Sequence, residues 1–311
     1  MENVVGCDVS KEWIDVCTVD RAFRIDNNVQ AAARLARDLP QASVVGMEAT
    51  GELHIVLADT LAKRGHVVFV INPRWIHNYG KSLGLRGKTD RTDAALIARF
   101  VAAEGHGLYR YVTASAQSRQ LRKLLLQRRK LVELKVATRQ SLGKVGASIV
   151  RQFDRSIERA ERAIEQLVRQ SPDWNSIYER LLGQPGVGPV LGSHLLDVLT
   201  RIPFKNQDAF IAHTGLDPRG CDSGQKRGRR YLTGHGDAAL RSTLFVAAMS
   251  ASRRGPWRPY YQAQLQKGLA PTAAIVILAR KLARVAFSLF KSGNKFDLAL
   301  VPEPKISGHR P

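Results

Sequence analysis

Cysteine is scarce in this chain. Of its 311 residues only Cys7, Cys17 and Cys221 carry thiols, with no CxxC pair and no His/Cys spacing of the zinc-binding kind. That pattern excludes a disulfide framework and a structural zinc site, and it fits reduced thiols. Acidic residues are also short: 27 Asp and Glu stand against 48 Lys and Arg, a formal charge of +21. An excess of that size, with a pI near 10.4, points to a polyanionic partner, and nucleic acid is the leading class. No uninterrupted apolar run approaches the roughly 20 residues that a bilayer span requires. The start of the chain, with Glu2 ahead of a strand-like run, does not read as a signal peptide. No membrane partner is expected.

The few carboxylates are not scattered evenly. Asp8 follows the apolar run Val4-Val5-Gly6-Cys7, and Glu48 follows Val44-Val45-Gly46-Met47, so each stands where a buried strand should end. Asp90 and Asp93 lie three apart, ahead of Ala94, Leu96, Ile97, Ala98 and Phe100. In a helix that spacing puts both carboxylates on one face above an apolar stripe. Taken singly, each has an ordinary alternative: Asp8 as a turn cap, Glu48 as a partner for arginine, Asp90 as a helix N-cap. Taken together, four carboxylates on two strand ends and one helix would repel one another unless cations bound between them. Hard oxygen ligands favour Mg²⁺ or Mn²⁺, and the arrangement is that of a two-metal site for phosphodiester chemistry.

Patterning divides the chain. The first part reads as three strands (residues 4–9, 13–19 and 21–25), a helix over 28–39 stopped by Pro40, a strand over 44–47, a helix over 53–64, a strand over 67–71 and a helix over 73–83. A basic, Gly-rich loop and the Asp90 helix follow. This order is that of a ribonuclease-H-like α/β fold. Between 114 and 170 the pattern changes to long helices dense in Arg, Lys, Gln and Leu, interrupted near Gly143 and Gly146. A helical hairpin and a dimerising coiled coil both fit. The basic run Arg119, Arg122, Lys123, Arg128, Arg129 and Lys130 is either a solvated face or a contact to a nucleic-acid backbone.

Ser171-Pro172-Asp173 marks a further boundary. Beyond it, Gly186 and Gly188 in Gln184-Pro185-Gly186-Val187-Gly188-Pro189 resemble a helix-hairpin-helix turn that holds a phosphate without reading sequence. An apolar helix over 190–199 follows. Further on, Ser223 sits in Asp222-Ser223-Gly224 beside Lys226, Arg227, Arg229 and Arg230. These cations suit DNA phosphates, and a hydroxyl among them is placed to attack phosphorus; the plainer alternative is a turn. Ser242 and Ser250 fall in an apolar helix over 238–253, where serines commonly pack or bond the backbone. Residues 301–311 have little periodicity and read as a disordered tail.

The segments GCDVSK, MEATG and KTDRTDA, followed in order by GLDP, DSG and ALRSTLFVAAMSASR, resemble the insertion-sequence 110 family of DEDD transposases. These are bridge-RNA-guided recombinases related to Piv DNA invertases. The resemblance implies a RuvC-like domain over 1–112 with Asp8, Glu48, Asp90 and Asp93 as metal ligands, and a helical coiled-coil region over 113–172. It further implies a mainly helical transposase domain over 173–300, with Ser223 as the nucleophile that joins covalently to DNA. Ser242 is the next candidate for that role. Donor and target DNA, a structured guide RNA, a homo-oligomer with sites shared between subunits and a bacterial cytoplasmic, nucleoid-associated location are implied in the same way. The chain departs from the family pattern at Leu232-Thr233-Gly234-His235-Gly236-Asp237, where a lysine is missing; Arg229, Arg230 or His235 would have to replace it. Two rival readings use the same residues: a Holliday-junction nuclease in which water attacks, and a noncatalytic nucleic-acid-binding protein.

Overall fold

A computed structural model of the chain describes residues 3–84, 90–219, 231–234 and 236–301, with the backbone alone at Asp90–Thr92 and Arg219. It divides into two compact units, Met1–Ala114 and Ser115–Pro311.

The first unit is built on a mixed sheet. Strands β1 (Val4–Val9), β2 (Trp13–Cys17), β3 (Ala22–Asp26), β4 (Val44–Glu48) and β5 (Val67–Ile71) lie in the order β3-β2-β1-β4-β5. The first three form an antiparallel meander, whereas β4 and β5 continue the sheet in parallel with β1. Parallel neighbours need crossovers, and helices α1 (Val29–Asp38) and α2 (Ile55–Lys63) supply them. Asn28 caps α1 by accepting from the Ala31 amide at 2.8 Å. The second strand ends at Cys17, two residues earlier than its apolar pattern suggests, because Thr18 and Arg21 close a turn with hydrogen bonds between them. Helix α3 (Pro73–Ser82) starts on an Asn72 cap with Pro73 in its first turn, and α4 (Asp90–Glu104) completes the unit.

Side chains alternate across this sheet, so its two faces have separate cores. Val5, Cys7, Val9, Val45 and Met47 pack with Leu35, Leu57 and Leu61 of α1 and α2. Val4, Phe69 and Ile71 pack with Ile97, Phe100 and Val101 of α4 on the other side.

The second unit is helical. Helices α5 (Ala116–Leu142) and α6 (Ala147–Arg169) form a hairpin. Its antiparallel register shows in the cross-pairs Arg128–Glu161 at 2.7 Å and Lys135–Asp154. Ser171 then caps α7 (Pro172–Leu182). The core runs straight through this point: Leu121, Leu125, Ile164 and Val168 of the hairpin share one cluster with Tyr178, Leu195, Phe210, Leu240, Trp257 and Leu282. At its centre is α8 (Pro189–Arg201), buried at every position from Leu191 to Leu199. Around it lie α9 (Gln207–Thr214), α10 (Ala238–Ala251), α11 (Trp257–Gln266) and α12 (Pro271–Ser292). A two-stranded sheet pairs β6 (Pro218–Arg219) with β7 (Tyr231–Leu232) in antiparallel sense. No helix of the described residues is long and apolar enough to cross a membrane.

Candidate functional site

The sheet register positions the first two carboxylates. Residues of β1 pair with β4 at a constant offset, Val4 with Val44 through Cys7 with Met47. Asp8 and Glu48 are the next residues on each strand, side by side where neighbouring strands run about 4.8 Å apart. Both follow a glycine by two positions, Gly6 and Gly46. Alternation therefore directs both carboxylates to the face of the glycines.

The glycines exist because α4 lies against that face. A Cβ on Gly6 would stand 2.0 Å from the Ala94 carbonyl oxygen and 2.5 Å from the Ala98 amide nitrogen. One on Gly46 would stand 2.4 Å from a Val101 methyl. The helix thus touches the strand through backbone, one residue from Asp93. Asp8, Glu48 and Asp93 are each half-buried and each engaged in interactions of their own. Asp90 begins α4, and its side chain falls outside the described residues. Among the described residues no three His, Cys, Asp or Glu side chains are grouped closely enough to hold a metal.

One carboxylate beside this set was missed in the sequence. Asp15 lies opposite Asp8 in the antiparallel register and is only 5% exposed. Arg24 on β3 binds it in a fork, Nε to Oδ1 at 2.9 Å and Nη2 to Oδ2 at 2.8 Å, and is itself stacked over Trp13. This charge is neutralised within the sheet. The Cys7 thiol, beneath the site, is pushed up to about 12 by burial, then by the charge of Asp8, and so stays protonated.

The serine segment belongs to the second unit. Ser223, Lys226, Arg227, Arg229, Arg230 and His235 lie outside the described residues, but the frame that carries them does not. The strands on either side of residues 220–230 in the chain, β6 and β7, pair with one another in antiparallel sense. The base of this pair is tied several times. The Thr233 hydroxyl donates to Asp217, the Thr233 amide donates to the Asp217 carbonyl at 3.1 Å, and Arg241 donates to the Thr214 carbonyl at 3.1 Å. Gly236 has φ 129, and a Cβ there would sit 2.1 Å from the His213 carbonyl oxygen. Asp237 then caps α10, accepting from the Ala239 and Leu240 amides at 2.9 Å each. Leu232, Thr233, Gly234, Gly236 and Asp237, from the stretch singled out in the sequence, thus lie between β7 and α10 or at their ends. Ser242 and Ser250 are exposed on α10.

Behind the hairpin lies a polar cluster drawn from several elements, with no local signature in the sequence. His194 and Asp197 of α8 are buried, as is most of His213 at the end of α9. Burial holds His194 and His213 down to about 4 each, against the attraction of Asp237, so both are neutral at pH 7. Burial raises Asp197, against Arg201 and Arg122, whose atoms approach it at 3.7 and 3.9 Å.

The remaining basic candidates do not form one bare patch. Arg128 bonds Glu161 across the hairpin, while Arg129 and Lys130 both meet Glu133 on α5. Arg119, Arg122 and Lys123 are exposed near the start of that helix. Gly186 and Gly188 form the turn before α8. Gly186 has φ 90, and a Cβ there would meet Ala251 of α10 at 3.0 Å, whereas Gly188 stands at the α8 N-terminus with open space around it.

Comparison with known proteins matches this architecture at both ends. Residues 5–145 match the model for DEDD transposases of the IS110 type, and residues 178–262 match the transposase IS116/IS110/IS902 family. The chain is 29% identical to the pilin gene-inverting protein of Moraxella lacunata, over 94% of this chain and 97% of that protein. It is 26% identical to the putative transposase y4pF/y4sB of Sinorhizobium fredii, over 83% of this chain and 75% of that one. It is 29% identical to an IS116 insertion-element protein of Streptomyces clavuligerus, over 50% of this chain and 37% of that one. The two matched regions take in Asp8, Glu48, Asp90 and Asp93 and the segment around Ser223, and the chain carries the transposase domains of the IS110 family.

Proposed function

We propose that this transposase breaks and rejoins DNA through a divided active site. One half is the carboxylate set Asp8, Glu48, Asp90 and Asp93 on a RuvC-like scaffold; the other is Ser223 on the β6–β7 hairpin. The observation that carries the proposal is the placement of Asp8 and Glu48 at adjacent parallel strand ends, on the face against which α4 packs with Asp93. Relatives named for gene inversion and for transposition support DNA as the substrate.

The donor set suits a hard divalent cation: half-buried carboxylates from two strands and a helix, with Asp15 already satisfied by Arg24. Asp8, Glu48, Asp90 and Asp93 would hold Mg²⁺ or Mn²⁺. Such an ion, when bound, stabilises negative charge developing on the scissile phosphate and the leaving oxygen. The Ser223 hydroxyl attacks phosphorus, the bond to the 3′ oxygen breaks, and the serine is left as a phosphodiester. That bond conserves energy, so attack by a new 3′ oxygen reverses the step and joins a different strand. The cations Lys226, Arg227, Arg229 and Arg230 steady the phosphate during both steps.

Sequence choice is assigned to a structured guide RNA that pairs with donor and target, leaving backbone contacts to the protein. Arg119, Arg122 and Lys123 on α5 and the Gly186–Gly188 turn are the places for them. A homo-oligomer then brings the carboxylates of one subunit to the serine of another.

The test is a denaturant-resistant DNA–protein adduct, formed with Mg²⁺ and lost in Ser223→Ala and in Asp8→Asn. An undiminished adduct in Ser223→Ala moves the nucleophile elsewhere, to Ser242 first. Free 5′ phosphates without any adduct would mean that water attacks, as in a junction nuclease. RNA sequenced from the purified protein tests guidance: one defined species supports it, and random fragments count against it.

A further inference from the structure

Between Ala238 and Phe296 the chain carries six arginines and four lysines and no Asp or Glu. Helices α10, α11 and α12 therefore bring charge of one sign only, and any neutralising partner must come from elsewhere. On α12 the crowding is greatest. Arg280 and Arg284 stand one turn apart on the same face, with Lys281 beside them, and all three are half-buried. Like charges at that spacing repel, and burial reduces the water available to screen them.

Among the described residues, only Arg284 of the three has a hydrogen-bonded side-chain partner. Arg284 donates to Asp208 Oδ1 at 2.5 Å and to Gln207 Oε1 at 2.7 Å, while the Gln207 amide donates to the Arg284 carbonyl at 2.8 Å. These bonds clamp the first turn of α9 onto α12 and fix the Arg284 guanidinium. Arg280 and Lys281 make no ion pair among the described residues. Both are pushed below their ordinary range, first by burial and then by Arg284. Arg280 also lies within the electrostatic reach of Tyr260 and of Asp217, the residue that ties the base of the hairpin. Arg280 thus stands within reach of the Asp217 carboxylate at the hairpin base, with Lys281 and Arg284 beside it on α12.

We propose that Arg280, Lys281 and Arg284 form a phosphate-binding row that grips the backbone of a DNA strand next to the β6–β7 hairpin. Arg284, held in place by Asp208 and Gln207, offers its remaining N–H donors, and Arg280 and Lys281 supply charge that no ion pair among the described residues matches. The row carries no sequence preference, because it reads phosphate. It rests on the reading of the chain as a DNA recombinase and adds a holding surface to it.

The experiment uses the full chain without divalent metal, so that strands are held and not cut. Fluorescence anisotropy with a labelled DNA of arbitrary sequence is followed from 50 to 200 mM salt for the wild type, Arg280→Gln, Lys281→Gln and Arg280→Lys. Each neutral variant is expected to bind more weakly and to flatten the log–log salt slope by about 0.9. Arg280→Lys is expected to keep the wild-type slope. The Tm of the neutral variants should stay level or rise, since repulsion is relieved. A wild-type slope in both neutral variants overturns the proposal, as does a falling Tm accompanied by an equal loss in Arg280→Lys, which marks a packing role. A second arm uses RNA of the same sequence; flattening on RNA alone would overturn the assignment to DNA. A wild type without DNA affinity sinks the recombinase reading itself, whereas unchanged slopes in variants that bind sink only this row.

Discussion

Gly6 and Gly46 show how a plain residue sets the geometry of the proposed site. Their missing side chains let α4 rest on β1 and β4, which brings Asp93 to the face of Asp8 and Glu48. Since a Cβ on Gly6 meets backbone atoms at 2.0 and 2.5 Å, no rotamer change relieves it. Overpacking of this kind costs about 1–3 kcal/mol or more. Gly6→Ala should lower Tm by several degrees and abolish adduct formation, while Gly107→Ala, with open space around it, should leave Tm nearly unchanged in the same thermal scan. The buried histidines make a second claim. With His194 and His213 held down to about 4 in the folded chain and near 6.5 when unfolded, the unfolded state binds more protons between those values. Their contribution is therefore complete above pH 6.5 and is lost as pH falls towards 4, by at most about 1.4 kcal/mol per pH unit for each. Asp197, raised by burial, acts in the opposite sense near the carboxylate range. The cleanest window is pH 5 to 6.5, where urea midpoints should fall on acidification and should fall less in His194→Gln.

Among the secondary-structure elements, the β-hairpin has the clearest consequence. Two-residue strands such as β6 and β7 leave no period to read, and only the Gly and basic content of the segment marked it. Thr233 and Asp217 close its base, and Gly236 and Asp237 turn it into α10. Thr233→Val removes the side-chain bond and keeps the volume. It should slow adduct formation by about tenfold, equivalent to roughly 1.4 kcal/mol, while DNA affinity in anisotropy stays at the wild-type value. By contrast, the strand that carries Asp8 next to its last residue, the strand that ends at Glu48 and the helix that begins at Asp90 were legible, because apolar runs that lead to a carboxylate are local patterns. The polar cluster of His194, Asp197, His213 and Asp237 was not, since α8, α9 and α10 meet only after folding. The basic run on α5 was legible as charge but not as a surface. Arg128 and Arg129 are spent on Glu161 and Glu133, and a sequence does not show which cations pair.

For the whole molecule, the carboxylates and the serine segment fall in different compact units, Met1–Ala114 and Ser115–Pro311. A reaction that needs both is suited to sharing between subunits. If so, Asp8→Asn and Ser223→Ala, each inactive alone, should recover part of the adduct when mixed, because a mixed oligomer contains one intact pairing. Recovery is measured by the denaturant-resistant adduct; none at any mixing ratio would mean that each subunit uses its own carboxylates. In the proposed assembly the formal charge of +21 would offset the mutual repulsion of the nucleic acids held together.

The parallel pairing of β1 with β4 has one more consequence. The spacing of Asp8 from Glu48 is set by the strand ladder and not by the length of the chain that connects them. The turn between β2 and β3, where Val19 is 73% exposed, is thus a permissive junction. A peptide tag or a fluorescent domain inserted there lengthens the loop without sliding the ladder, which makes it a place to label the protein while it works.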